Sequence, residues 1–150
     1  MKLFSKLFHD LDAMTKTNER VERLGLYFEQ ADPKDSIWAC WFLAGNRIKG
    51  AVKTSQLRAF ASERTGLPDW IVSESHERVG DLAETLSLLV EAKVSGTSLS
   101  LSQLVEAFIK PMVFMDREER RNCIYRAWDV LGPEDFLPFH KLLTGAFRMG

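Results

Sequence analysis

Apolar residues recur in this chain with helical spacing, and glycine, proline or short polar runs interrupt them every ten to fifteen residues or so. Leu3, Phe4, Leu7, Phe8, Leu11 and Met14 form one stripe with a period near 3.6. Thr15-Lys16-Thr17-Asn18 then breaks it, and Thr17 is placed to cap a second helix that turns Val21, Leu24, Tyr27 and Phe28 inward. Asp32-Pro33 opens a third helix, with Ile37, Trp38, Trp41 and Phe42 facing the core, closed by Gly45 in a left-handed cap. The spacing predicts a fourth helix over 54–65, ended by Gly66-Leu67-Pro68. A fifth is capped by Asp69 and carries Trp70, Ile71 and Val79, and a sixth follows Gly80-Asp81.

After the loop Gly96-Thr97-Ser98 comes a helix around Leu104, Phe108 and Ile109, broken at Pro111. The next starts with Asp116 and Glu119 in a capping box. The last begins near Asp135, has Pro138 in its first turn and ends at Gly145. Met112 to Met115 reads as either strand or helix, and no other strand signal is present. The fold class expected is all-α.

The two ends echo each other. With 1–50 laid on 101–150, eight of fifty positions coincide: Phe8, Glu19, Arg20, Pro33, Asp35, Leu43, Gly45 and Gly50 meet their own kind. Most are cap and turn positions, which shape backbone. The expectation is a single domain over 1–150, with a pseudo-two-fold repeat of halves 1–50 and 101–150 and a helical connector 51–100.

Each half closes on a glycine-bracketed turn, 45–50 and 145–150, with Arg47 in one and Arg148 in the other. Taken singly, each is an ordinary helix C-cap. Taken together, Gly45, Arg47, Lys49 and Gly50 with Gly145, Arg148 and Gly150 suit phosphate oxygens, because bare backbone amides and guanidinium groups both donate to them. Thr15, Lys16, Thr17 and Asn18 form a third candidate contact, whose plainer reading is helix capping.

The net charge of −1 gives nucleic-acid binding no help, but its distribution does. Residues 45–64 hold Arg47, Lys49, Lys53, Arg58 and Arg64 against Glu63 alone, whereas 69–91 hold six acids against Arg78. Apolar residues at 45% and charged residues at 27% describe an ordinary globular domain. The N-terminus reads as an amphipathic helix, not a signal peptide, and two unpaired cysteines suit a reduced, cytoplasmic setting.

Enzyme signatures are missing. His9, His76 and His140 are scattered, the cysteines are single, and no phosphate-binding glycine loop precedes a lysine. Nothing resembles a base-reading helix.

The segments DAMTKTNERVERL (12–24), VGDLAETL (79–86) and KLLTGAFRMG (141–150), with WFLAGNRIKG (41–50) and GLPDW (66–70), occur in an order that resembles the N-terminal DNA-binding domain of ATP-dependent DNA ligases, most closely the bacterial forms. The resemblance covers essentially the whole chain. It implies an all-helical, pseudo-symmetric domain lying across the minor groove of nicked or intact duplex DNA. Gly145, Arg148 and Gly150 would contact the backbone, and the 45–50 turn and Thr15 to Asn18 would add to the grip.

It also implies adenylation and oligonucleotide-binding ligase domains as partners, C-terminal or in trans, and a bacterial, nucleoid-associated setting. ATP and Mg²⁺ would belong to those domains; no cofactor is expected here. No lysine of this chain starts the lysine–x–aspartate–glycine motif that the family adenylates, so alone it is expected neither to bind ATP nor to seal nicks. Ala146, where some relatives are basic, and Pro138 depart from the family pattern. A helical protein-interaction scaffold indifferent to DNA is the competing expectation.

Overall fold

The computed structural model describes residues 1–145 and 147. The helices are α1 (Lys2–Ala13), α2 (Thr17–Gln30), α3 (Pro33–Leu43), α4 (Thr54–Thr65), α5 (Asp69–Val79), α6 (Leu82–Leu89), α7 (Leu101–Leu104), α8 (Lys110–Met112), α9 (Arg117–Val130) and α10 (Pro133–Thr144). A π-helical turn, Val105–Ile109, joins α7 to α8 without a break. No strand occurs among the described residues. The all-α expectation holds.

The stripe read from α1 buries Phe4, Leu7, Phe8 and Leu11, while Leu3 stays exposed. α10 packs along α6 and also meets α1. Ser5 Oγ donates to the buried carboxylate of Asp135 at 2.6 Å, and the Gly132 amide donates to the other oxygen at 3.1 Å. A matching tie joins α3 to α7, where the Ser102 amide donates to Asp35 at 2.9 Å. The third helix at each end therefore packs on the first helix of the other end.

His140, fully buried, links three elements. Trp128 Nε1–H donates to its Nε2 at 2.9 Å, so Nδ1 carries the ring proton and donates to Ser87 Oγ at 3.0 Å; Ser87 in turn donates to the Ala83 carbonyl. Burial pushes the histidine down to about 3, and it is neutral at pH 7.

Several expectations are corrected. Ile37 is 70% exposed, Trp70 68% and Val21 62%, and Trp41 and Val79 also face outward. These helices pack on one side only, so the core takes Ala39 and Phe42 from α3 and Val72 from α5. Thr17 is not a cap: it is the first residue of α2, after Lys16. Asp32 precedes α3 but its side chain makes no capping bond, and Pro68 rather than Asp69 precedes α5.

Pro111 does not break its helix, because the preceding turn widens and the Lys110 amide reaches the Val105 carbonyl. Pro138 lies inside α10, with Pro133 in the first turn instead. Proline at 138 frees the carbonyl of Glu134, and His9 Nε2–H donates to it at 2.8 Å, which is why the helix survives. The Asp116–Glu119 capping box forms as read.

Candidate nucleic-acid interface

After α3, Ala44 keeps helical geometry and Gly45 turns the chain with a φ of 96°. Its amide is held by Phe42, and Asn46 caps the carbonyl of Trp41 through both backbone and side chain. The amides of Arg47, Ile48, Lys49 and Gly50 find no acceptor among the described residues. Exposed amides in a tight turn form a concave donor set for an anion. Gly50, with a φ of 79°, reverses the chain again.

Arg120 fixes this turn. Its Nη2 donates to the Gly50 carbonyl and its Nε to that of Met112, both at 2.9 Å, and Nη1 reaches Gln56 Oε1 at 3.3 Å. One planar guanidinium therefore staples the turn to the end of α8.

The second turn begins at Gly145, with a φ of 73° and its amide bonded to the Lys141 carbonyl. The aliphatic arm of Arg47 lies directly against it: a Cβ at 145 would come within 2.8 Å of Arg47 Cδ. Arg47 Nη1 also approaches the Thr144 carbonyl at 3.4 Å. The two turns are neighbours, although 97 residues of chain separate Arg47 from Thr144. Phe147 anchors the segment beyond, edge-on to Phe4 and Phe8 at 5.9 and 5.7 Å. Arg148 and Gly150, expected as contacts, lie outside the described residues, as does Ala146.

Thr15, Lys16, Thr17 and Asn18 are all exposed. Arg20 holds the base of their turn, its Nε and Nη2 donating to the Met14 carbonyl at 3.1 and 2.8 Å. No hydrogen bond among the described residues joins this turn to the glycine turns, so the structure unites two of the three sequence candidates by direct contact. Arg20 and Arg120 escaped the sequence reading as supports, although they coincide in the end-to-end match. The signal was there, without a role attached to it.

Charge distribution follows the same division. Lys16, Arg47, Lys49 and Lys53 pair with no acid among the described residues, whereas Glu63 binds Arg117 and Arg121 and Asp129 binds Arg64 and Lys93. Asp81 caps α6 through the Glu84 amide and meets Lys141, one turn before Gly145, at 2.7 Å. Partial burial works against its charge. Lys141 and the Glu84 amide outweigh that and hold the carboxyl below its usual range. Gly80-Asp81 thus caps α6 and ties it to the helix that carries the terminal turn.

No group of three His, Cys, Asp or Glu side chains could hold a metal among the described residues. Burial pushes the Cys123 thiol up despite the opposing charge of Arg126, which disfavours its thiolate. No described helix is long and apolar enough to cross a membrane.

No curated protein and no solved structure matches the chain. The family model described as DNA ligase N terminus matches residues 1–150, and the chain belongs to that family.

Proposed function

We propose that this domain grips the sugar-phosphate backbone of duplex or nicked DNA, without sequence preference, as the DNA-binding module of an ATP-dependent DNA ligase. The observation that carries the reading is Arg47 laid across Gly145, which sets the cationic 45–50 turn against the end of α10. Free amides at 47–50 and the unpaired Arg47 and Lys49 donate to successive phosphates. Residues 145–150, Arg148 and Gly150 among them, take the next ones, and Thr15 to Asn18 extends the grip.

Seen this way, the duplex lies with its minor groove on the surface, and the halves 1–50 and 101–150 are related by a pseudo-two-fold. The reciprocal ties Ser5–Asp135 and Ser102–Asp35 support that relation. Positioning is the domain's contribution to nick sealing: it holds the 5′-phosphate and 3′-hydroxyl where adenylation and oligonucleotide-binding domains reach them. ATP and Mg²⁺ serve those domains, and this one needs no cofactor.

Fluorescence anisotropy with a labelled nicked duplex tests the proposal. Binding that weakens steeply with salt is expected, with a slope of about −0.9 per phosphate neutralised. A flat salt response sinks it. The rival, a protein-interaction scaffold, draws on the exposed apolar side chains of α3 and predicts indifference to DNA altogether.

A further inference from the structure

We propose that an apolar groove beside the 45–50 turn is a second part of the duplex-binding surface, taking deoxyribose faces between phosphates held at its rim; this rests on the duplex reading above. The groove, about 460 Å³, is lined by Ile37, Trp38, Trp41, Ile48, Val113 and Phe114, with Lys110 as its one charged residue. Phe114 is 91% exposed and Ile37 70%. Apolar side chains gathered at one exposed depression mark a contact site.

Three observations favour DNA as the occupant. The groove is continuous with the cationic turn, because Ile48 lines it while its neighbours Arg47 and Lys49 face solvent. Its walls are held to each other beforehand, since Arg120 bonds both Gly50, two residues after Ile48, and Met112, next to Val113. Cations accompany the apolar lining: Lys110 Nζ lies 5.8 Å from the Trp38 ring and pairs with no described acid, and Arg47 and Lys49 adjoin Ile48 in the chain.

A nucleic-acid strand presents the same alternation, with apolar sugar faces between phosphates. Minor-groove proteins do bring isoleucine and phenylalanine into apolar contact with a duplex, as wedges at base steps; here the side chains line an open depression and meet sugar faces instead. Aliphatic and phenyl side chains have no hydrogen-bonding groups for reading base edges, which suits binding without sequence preference.

The test compares Phe114→Ser, Ile37→Ser, Lys110→Ala and Arg47→Ala with the wild type on one nicked duplex across a salt series. Phe114 and Ile37 are exposed, so their variants keep the fold, which circular dichroism checks. Each serine variant is expected to lose roughly fivefold in affinity at every salt, consistent with lost apolar burial, and to keep the slope. Lys110→Ala is expected to lower the slope by about one. Serine variants that bind like wild type, beside an Arg47→Ala that still weakens, overturn the groove and leave the duplex reading standing. If those same variants instead lose capture of ligase catalytic domains supplied in trans, the groove belongs to a protein, and the proposal is equally overturned. No binding by the wild type removes both readings.

Discussion

Gly145→Ala separates the strain of the terminal turn from its role in placing Arg47. Gly145 and Gly45 both sit in the left-handed region, with φ of 73° and 96°. Alanine there costs about 1 kcal/mol at either position. Their surroundings differ. Around Gly45 a new Cβ meets nothing within 4 Å, whereas at Gly145 it meets Arg47 Cδ at 2.8 Å and Cβ and Cγ at 3.3 Å. Cδ and Cγ belong to a flexible arm that swings away, and the 3.3 Å contact with Arg47 Cβ asks the turn to give by only a few tenths of an ångström. Urea unfolding should therefore show similar losses for both variants, about 1 kcal/mol each. Binding should not follow suit. Displacing a guanidinium that donates to phosphate forfeits about 1.5 kcal/mol, roughly tenfold in affinity, while Gly45→Ala stays within about twofold. Anisotropy at one salt concentration, with folded fractions matched, reads the difference. In the Arg47→Ala background, Gly145→Ala should cost nothing further. Equal affinity losses at the two glycines, or full additivity with Arg47→Ala, would refute the reasoning.

Arg120→Ala should weaken duplex binding while keeping the salt slope, because its donors serve carbonyls, whereas Arg47→Ala should lower the slope by about one. Lysine at 120 should not rescue, since a point ammonium cannot bridge Gly50 and Met112 together. Stability should fall between pH 7 and 5. The buried neutral His140 has a folded value far below its unfolded 6.5, so the unfolded chain binds more protons in that window; stability present above pH 6.5 is lost as pH drops, by about 2 kcal/mol at pH 5. Urea titrations at both pH values, against His140→Gln, check this, and a dependence that survives the substitution refutes it. Gly132→Ala should cost far more stability in urea unfolding than Gly45→Ala, about 2 kcal/mol or more. Its Cβ would lie 2.6 Å from the Ser95 carbonyl and 2.7 Å from Gly96 Cα, and backbone cannot swing aside.

Local chemistry made much of the fold legible. Helix breaks at Gly45, Gly66, Gly80 and Gly145 were readable because only glycine tolerates the left-handed turn that ends a helix there. The period of α1 and the Asp116–Glu119 box were readable for the same kind of reason: each rule spans a few residues of one helix. Facing was less legible. Ile37, Trp41 and Trp70 fit a helical stripe, yet which arc of the stripe meets a partner helix is set by elements far along the chain. Pro138 was misplaced because the group that takes up its orphaned carbonyl, His9, is 125 residues away from Glu134.

By itself, then, the sequence determined that the chain is helical and where glycines end several of its helices. Adjacency was decided by the tertiary structure alone. α1 packs on α10 and α3 on α7, and these crossed contacts lay Arg47 against Gly145 and bring Gly50 within reach of Arg120. No propensity or spacing encodes such meetings, because they arise from burying one shared core assembled from both ends of the chain.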